Sequence, residues 1–305
     1  MPVNKEDVSK TAICTPFGTF EYVRMPFGLR NAANTFQRFI DDTVRGLPFV
    51  VTYIDDLLIY SETIDQHKDH LRQVLRQLQK AGLCLNKQKT SLFQSSINFL
   101  GFQFSKNGIK PLPDKVQALV DLSPPNDSKC LQRYLGMFGF YQRCIPKYSE
   151  IVYDLHHLLR KGNFEWTPEH QSAFDKLKTA LKDAVELSYP FPGAKYTITC
   201  DASSYAIGAC LNQMVDGVSL PLSFFSRKLY DTEERYSAFD RELLAVFCAV
   251  RKWKNFILGS SCTVFTDHKP LVGAVSCWQA KRLGSTATTI IIHKRIHVRS
   301  SAHSR

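Results

Sequence analysis

Two adjacent aspartates divide an otherwise apolar stretch at residues 50–60, whose sequence is Val-Val-Thr-Tyr-Ile-Asp-Asp-Leu-Leu-Ile-Tyr. The β-branched and aromatic residues on both sides are typical of strands, and the acidic pair lies where a hairpin turn is expected. Two carboxylates cannot lie in a core without a counter-charge. Asp55 and Asp56 therefore form either a solvated turn, in which Asp is common, or a site for a divalent metal ion. The pair lacks the Gly that ordinary two-residue turns favour, and this supports the metal site.

The length and the cysteine pattern restrict the class of protein. A chain of 305 residues can form two or more domains with cores of their own. Nine cysteines occur singly, without any Cys-x-x-Cys pair, which argues against zinc ribbons and disulfide frameworks and favours a reducing compartment. No apolar run is long enough to span a membrane, and the N-terminus does not resemble a signal peptide. We therefore predict an intracellular protein, in the cytoplasm or nucleus, with no membrane partner.

The net charge of +11 predicts a polyanionic partner such as a nucleic acid. Six of the positive charges lie after residue 280, where no acidic residue occurs, so residues 1–280 carry +5. The basic character of the main body is therefore modest.

A loop rich in Pro and Gly precedes the aspartate pair. Residues 11–24 predict two short strands, residues 25–29 a loop, and residues 31–41 a helix that Asn31 could cap. The glycine in the loop, Gly28, would let the backbone approach a ligand closely, although the loop could also be a simple connection between a strand and a helix.

These segments together resemble the reverse transcriptase of gypsy-type long-terminal-repeat retrotransposons. The resemblance rests on several motifs in the order and spacing of that family, namely Arg24-Met25-Pro26-Phe27-Gly28-Leu29, Asn31-Ala32-Ala33, Thr35-Phe36-Gln37-Arg38 and Tyr53-Ile54-Asp55-Asp56.

The resemblance implies a polymerase site with two Mg²⁺ ions, for which Mn²⁺ could substitute. Such ions activate the primer 3′-hydroxyl and bind the incoming dNTP, and a few carboxylates suffice to hold them. Asp55 is then the main ligand and Asp56 a weaker one. The residues implied to contact nucleotide or template are Pro26, Phe27, Gly28, Asn31, Gln37 and Tyr53.

The next segments match a palm domain. Helical spacing of apolar residues predicts a helix from Asp65 to Gly82, and alternation predicts a strand at 97–104. By resemblance, Lys89 matches the lysine that protonates the pyrophosphate leaving group, although an ordinary surface lysine beside Lys87 explains it equally well.

Residues 105–190 correspond by resemblance to the thumb and connection. Helices are predicted near 129–141 and 169–184. Tyr134, Phe138 and Tyr141 share one helix face, which could follow a duplex or could simply pack in a core.

A second acidic site is predicted beyond residue 190. Strands at 196–203, 207–211 and 222–226 precede a long helix, with Leu243, Val246 and Trp253 inward, and a last strand begins at Cys262. Three acids lie at strand ends or on the helix, and they could be unrelated surface residues: Asp201, Glu242 and Asp267.

The context of these acids resembles the RNase H domain of the same polyproteins. The characteristic pieces are Arg241-Glu242-Leu243-Leu244-Ala245 and Thr266-Asp267-His268-Lys269. The resemblance implies that Asp201, Glu242 and Asp267 are catalytic ligands of two Mg²⁺ ions that cleave RNA in an RNA–DNA hybrid. It favours Glu242 over the neighbouring Asp240.

Two features of the family have no match in this sequence. A further polymerase Asp, with most of the fingers, is expected upstream of Met1. A fourth RNase H acid is expected in an Ala-Asp-Ala-Leu-Ser-Arg segment, but the similarity ends near Ser276 and no acid occurs in Gln279–Arg305. The predicted domains are 1–104 (partial palm), 105–190 (thumb and connection), 191–278 (incomplete RNase H-like domain) and 279–305 (aberrant basic tail).

We therefore predict a multidomain α+β and α/β fold, a partial palm and thumb followed by an RNase H-like mixed sheet with helices. The implied function is that of an RNA-directed DNA polymerase and ribonuclease H, impaired by the missing acids. Its partners are an RNA template, a DNA primer, an RNA–DNA hybrid and dNTPs. The alternative is a catalytically inactive remnant that binds nucleic acid. A metallohydrolase of small phosphoesters explains the acids but neither the loop-helix motifs nor the positive charge.

Overall fold

The computed structural model describes residues 1–160 and 163–268 and the backbone of 290–294. The chain forms two compact units, Met1–Ser95 and Ser96–Arg305. The division lies before residue 104, the predicted end of the palm, and the predicted thumb and RNase H-like segments share the second unit. No helix within the described residues is long and apolar enough to cross a membrane.

The first unit contains two antiparallel hairpins and two helices. The strands are β1 (Ile13–Thr15), β2 (Gly18–Phe20), β3 (Val50–Tyr53) and β4 (Asp56–Ile59), and the helices are α1 (Ala32–Thr43) and α2 (Ile64–Lys80). The predicted hairpin at the aspartate pair and both predicted helices are confirmed.

A small apolar core joins the helices of the first unit to its second hairpin. Ile40 of α1 and Val74 and Leu78 of α2 are buried, and Leu57 and Ile59 of β4 pack against them. Asn31 precedes α1 as predicted, but its side chain forms no capping hydrogen bond. One face of the β3–β4 hairpin is thus fixed against the helices.

The second unit begins with a three-stranded sheet, β5 (Ser96–Phe99), β6 (Phe102–Ser105) and β7 (Ile109–Pro111). The prediction of one strand over 97–104 is wrong, because Leu100 and Gly101 form a turn with φ angles of 48° and 78°. The apolar alternation continues across this tight turn, which explains why one strand and two cannot be told apart by periodicity.

A helical layer follows the small sheet. Its members are α3 (Pro113–Val120), α4 (Ser128–Gly139), α5 (Tyr148–Ile151), α6 (Tyr153–Arg160) and α7 (Pro168–Lys182). Tyr134, Phe138 and Tyr141 are buried in one core with Phe174 and Leu177 of α7. Their shared face is therefore a packing face, and α4 presents its opposite face to solvent.

A five-stranded mixed sheet ends the unit. Its strands are β8 (Lys195–Ala202), β9 (Ala206–Val215), β10 (Val218–Lys228), β11 (Cys262–Thr266) and β12 (Ile290–Lys294), in the order β10-β9-β8-β11-β12. The first three are antiparallel neighbours, while β11 runs parallel to both β8 and β12. The sheet thus extends past residue 278 into the segment predicted as an aberrant tail. The run Ile290-Ile291-Ile292 has the β-branched composition that strands favour.

Helix α8 (Ala238–Lys252) packs against this sheet, and the short α9 (Lys254–Ile257) follows it. The buried residues of α8 include Glu242 and Val246, and Trp253, which directly follows α8, is also buried. Leu243 is 40% exposed, so its predicted inward position is wrong. The residues that share the buried stripe with Val246 at helical spacing are small alanines and Glu242, and Leu243 lies one position beside that stripe.

Candidate functional site

The first candidate site is the turn between β3 and β4. Tyr53 pairs with Asp56, so Ile54 and Asp55 form the two-residue turn. Ile54 has φ of 49°, a left-handed conformation that costs a β-branched residue about 1–3 kcal/mol and needs support from its surroundings. Both aspartates are exposed. Within the described residues neither of them forms an ion pair.

Gln37 of α1 supplies that support. Its Oε1 accepts the backbone N–H of Ile54 at 2.6 Å. Its Nε2 donates to Asp41 Oδ1 at 2.8 Å and to Thr52 Oγ1 at 3.1 Å, and the Thr52 hydroxyl donates to the same Asp41 oxygen. Gln37 was predicted to contact nucleotide or template. In this structure its amide positions the turn that carries Asp55.

The other residues predicted for nucleotide or template contact lie on exposed surface or in loops. The loop between β2 and α1 contains Pro26, Phe27 and Gly28, with the Phe27 ring fully exposed and Gly28 at φ of 89°. Asn31 is exposed, and so is Tyr53 on β3. The left-handed φ of Gly28 is accessible because glycine has no Cβ.

Lys89 lies on a 3₁₀ turn, Lys87–Lys89, and is exposed. Within the described parts of the chain, no hydrogen bond or ion pair connects it to Asp55 or Asp56. Its predicted role in proton transfer remains a prediction.

The chemistry of the aspartate turn suits a hard cation. Carboxylate oxygens are the ligands that Mg²⁺ prefers, and Asp55 and Asp56 are unpaired and accessible. The residues that the structure describes nevertheless contain no group of three or more His, Cys, Asp or Glu side chains that could hold a metal ion. The role of Asp55 and Asp56 as metal ligands therefore remains a prediction.

The second candidate site centres on Glu242 in α8. Its side chain is only 5% exposed. Oε1 accepts the backbone N–H of Ala202 at 3.0 Å, and Oε2 accepts the Thr266 hydroxyl at 3.1 Å. The carboxylate therefore connects the ends of β8 and β11. The competing residue, Asp240, is exposed and accepts a hydrogen bond from Ser237.

The electrostatics of Glu242 reflect this position. Burial raises the pKa of its carboxyl above the usual value, and the negative charges of Asp267 and, more weakly, Asp201 raise it further, against the hydrogen bonds from Thr266 and Ala202, which lower it. The three predicted acids thus lie close enough to interact, with Asp267 directly after β11.

Asp201 has a different partner. Burial alternates along β8, so Ile198 and Cys200 face the core beneath α8 and Asp201 faces the opposite side. There its Oδ2 lies 2.6 Å from Nζ of Lys147, the residue before α5. Glu150 Oε2 lies 3.9 Å from the same nitrogen. A cavity of about 300 Å³ adjoins these three side chains.

These contacts do not fit a two-metal site as they stand. Asp201 is neutralised by an ammonium group, and both oxygens of Glu242 accept hydrogen bonds. The three acids were predicted from the sequence, whereas the contact between Lys147 and Asp201 was not.

We expect Gln37→Met to weaken the first site. Methionine keeps the length of the side chain but cannot accept from Ile54 N–H or donate to Asp41, so the first unit should lose about 1–3 kcal/mol of stability. Urea unfolding measures this, and amide hydrogen exchange at Ile54 should become faster. Arg38→Met, on the exposed face of α1, is the matched control. Equal effects of the two variants would contradict the role given to Gln37.

We expect Glu242→Gln to change the pH dependence of stability. A carboxyl whose pKa is raised in the folded state binds its proton more tightly there, so wild-type stability declines as pH rises above about 4.5. Glutamine carries no charge; its Oε1 can still accept the Ala202 N–H, and its Nε2 can donate to the Thr266 hydroxyl, so that this second hydrogen bond is reversed. The variant should match the wild type near pH 4 and exceed it near pH 8, as urea unfolding followed by tryptophan fluorescence would record. Parallel pH curves would refute this, and the exposed Glu62→Gln is the control.

Comparison with known families gives two matches. The reverse transcriptase (RNA-dependent DNA polymerase) family model matches residues 1–104. The model of the RNase H-like domain found in reverse transcriptase matches residues 166–264. The first match includes Asp55 and Asp56, and the second includes Asp201 and Glu242 but ends before Asp267.

Similar full-length proteins are transposon polyproteins. The chain is 37% identical over 273 residues to the retrovirus-related Pol polyprotein from transposon 297 of Drosophila melanogaster, a match that covers 88% of this chain and 25% of the relative. It is 32% identical over 281 residues to the transposon Tf2-3 polyprotein of Schizosaccharomyces pombe, covering 90% of this chain and 21% of the relative. The chain thus spans about a quarter of the length of these relatives.

Solved structures with the same fold include the foamy viral protease-reverse transcriptase. Its complex with dsDNA has a TM-score of 0.82 at 22% identity and covers 97% of this chain and 65% of that chain. Its complex with an RNA/DNA hybrid has a TM-score of 0.79 at 22% identity, and the match covers 98% of this chain and 42% of that chain. The matched motifs, family models and relatives agree: residues 1–104 form a reverse transcriptase domain, residues 166–264 form an RNase H-like domain of the kind found in reverse transcriptase, and the chain is similar over most of its length to Pol polyproteins of transposons.

Proposed function

We propose that the chain serves RNA-directed DNA polymerisation at the Asp55–Asp56 turn, with an RNA template, a DNA primer and dNTPs as its partners. The observation that carries the proposal is an exposed aspartate pair that forms no ion pair with the described residues, on a turn that Gln37 fixes from α1. A rigid turn at a hairpin tip presents both carboxylates to a ligand at little reorganisation cost.

The chain's own residues would divide the work. Asp55 and, more weakly, Asp56 would hold Mg²⁺ or Mn²⁺, which supplies the positive charge that nucleotidyl transfer requires. Gln37 keeps the turn in place. The exposed Phe27 ring and the backbone at Gly28 offer a surface for a nucleotide base and sugar. Lys89 is proposed as the proton donor to pyrophosphate.

The proposed duplex contact lies on the solvent face of α4. This face carries Arg133, the exposed Phe140 directly follows the helix, and Gly136 leaves open space above the backbone. Arginines can contact phosphates, and a helix without a side chain at one position can approach a groove closely. The foamy viral relatives were solved with dsDNA and an RNA/DNA hybrid, and we extend these ligand classes to this chain.

We further propose that the second unit cleaves RNA in an RNA–DNA hybrid. Asp201, Glu242 and Asp267 would hold the metal ions, and support comes from the RNase H-like match and from the negative charges of Asp267 and Asp201 near Glu242, which raise the pKa of its carboxyl. Metal binding there requires rearrangement of the contacts that Asp201 and Glu242 make.

The second candidate function is nucleic-acid binding without catalysis. It is favoured by the lack of any three-acid group among the described residues. A binding remnant would keep an affinity that falls with increasing salt, because counterion release does not depend on turnover.

For the polymerase, we expect any dNTP incorporation on poly(rA)·oligo(dT) with Mg²⁺ to fall by about 10²-fold or more in Asp55→Asn and less in Asp56→Asn, since a lost ligand weakens charge stabilisation in the transition state. The control is Asp65→Asn, an exposed acid at the start of α2. Equal incorporation by wild type and Asp55→Asn would reject the role of Asp55. No incorporation, together with salt-dependent filter binding of the template, would establish the second candidate instead.

For the nuclease, cleavage of the RNA strand of a labelled hybrid should vanish in Asp201→Asn, because a metal ligand is lost. Asp216→Asn, on the exposed turn between β9 and β10, should cleave like the wild type. Cleavage that survives Asp201→Asn would count against this site.

A further inference from the structure

Lys147 forms an ion pair with Asp201, the carboxylate that family resemblance assigns to a metal ion. Its Nζ lies 2.6 Å from Asp201 Oδ2, within charge-assisted hydrogen-bond distance. Lys147 lies in the predicted thumb and connection, and Asp201 lies in the RNase H-like sheet. The contact therefore joins two segments that the sequence assigns to different domains.

The surroundings hold the lysine backbone at this place. Lys147 has a left-handed φ of 53° and directly precedes α5, whose Tyr148 is buried. The backbone N–H of Ser149 donates to Ser226 Oγ of β10 at 2.7 Å. Because α5 is attached to the sheet in this way, the ammonium group can leave Asp201 by a side-chain rotation while the helix stays in place.

The charges around the ammonium are balanced locally. Asp201 lies on one side, and Glu150 Oε2 is 3.9 Å away on the same element as the lysine. Magnesium or manganese would need to approach an Asp201 oxygen to about 2.1 Å. An ammonium group already 2.6 Å from Oδ2 repels a second cation there and occupies the same space.

We propose that Lys147 is the resident cation of Asp201, so that a divalent metal ion binds this carboxylate only after Lys147 has left it. Lys147 thereby sets the metal concentration that the RNase H-like site requires. This inference deepens the proposed ribonuclease site and rests on it only in treating Asp201 as a metal ligand.

The strength of the ion pair between Lys147 and Asp201 limits how much Lys147 can weaken metal binding. The side chains of Lys147 and Asp201 are 58% and 36% exposed, so solvent screens their attraction. Ion pairs of this exposure change an equilibrium by about two- to fivefold. Displacing the lysine therefore weakens metal binding by no more than this factor, and removal of the lysine should tighten metal binding by the same factor.

The test measures Mn²⁺ affinity by electron paramagnetic resonance on the full chain. An Asp55→Asn/Asp56→Asn background removes the metal ligands of the first site. In that background Lys147→Gln should bind Mn²⁺ about two- to fivefold more tightly than Lys147, and Lys147→Gln/Asp201→Asn should lose the gain. Lys147→Arg, which keeps the charge, should stay close to the parent, and Lys129→Gln on exposed α4 surface is the control for net charge.

Two results would overturn the proposal: an unchanged Mn²⁺ affinity in folded Lys147→Gln, or a gain that persists without the Asp201 carboxylate. If Lys147→Gln does not fold, the comparison uses the parent, Lys147→Arg and Asp201→Asn. A Mn²⁺ affinity of Lys147→Arg close to that of the parent, together with weaker binding by Asp201→Asn, sustains the proposal. Equal Mn²⁺ affinities of these three proteins overturn it. Hybrid cleavage is measured in parallel. A Mn²⁺ gain without cleavage would reject the proposed nuclease while the inference stands, and Asp201-dependent cleavage without a gain would do the reverse.

Discussion

A buried carboxylate holds the ends of two strands of the second unit in register. Glu242 accepts a backbone N–H from β8 and a hydroxyl from β11, and both strands meet α8 at this point. Burying a charge is costly unless hydrogen bonds satisfy it. The position of α8 on the sheet, the raised pKa of Glu242 and the placement of Asp201 and Asp267 on the adjoining strand ends all follow from this arrangement.

The acids of the two units are satisfied in contrasting ways. Asp55 and Asp56 are exposed and have no ionic partner in the described part of the chain, and they lie on a turn that the neighbouring helix holds in a strained conformation. Asp201 has an ammonium partner and Glu242 has two donors. The first arrangement is open to a cation from solution, whereas the second must exchange internal partners before it can bind one. Cation binding, as proposed for both units, would therefore cost the loss of internal contacts only in the second unit.

Local sequence patterns predicted most elements, and contacts between distant residues decided the rest. The Asp55–Asp56 hairpin followed from composition and turn position. The turn at Leu100 was not predicted within the strand expected at 97–104, because the alternation of apolar and polar residues continues through it. Leu243 was placed inward because apolar residues usually are, yet the buried stripe carries Glu242, which only its hydrogen-bond partners can explain. The ion pair between Lys147 and Asp201 could not be predicted, since nothing in the sequence near Lys147 indicates that a residue so far along the chain lies beside it.

The strand order of the mixed sheet has a consequence for how the chain acquires its structure. Strands β8, β9 and β10 are joined by short turns and pair with their neighbours in sequence, so they can form early. Strands β11 and β12 pair in parallel and come from later in the chain, and β12 lies near its end. Loop closure makes such non-local pairing slow. During synthesis the β8 edge that receives β11 therefore stays open until the residues of β11 have left the ribosome, and in this interval the unpaired edge can pair with a wrong strand.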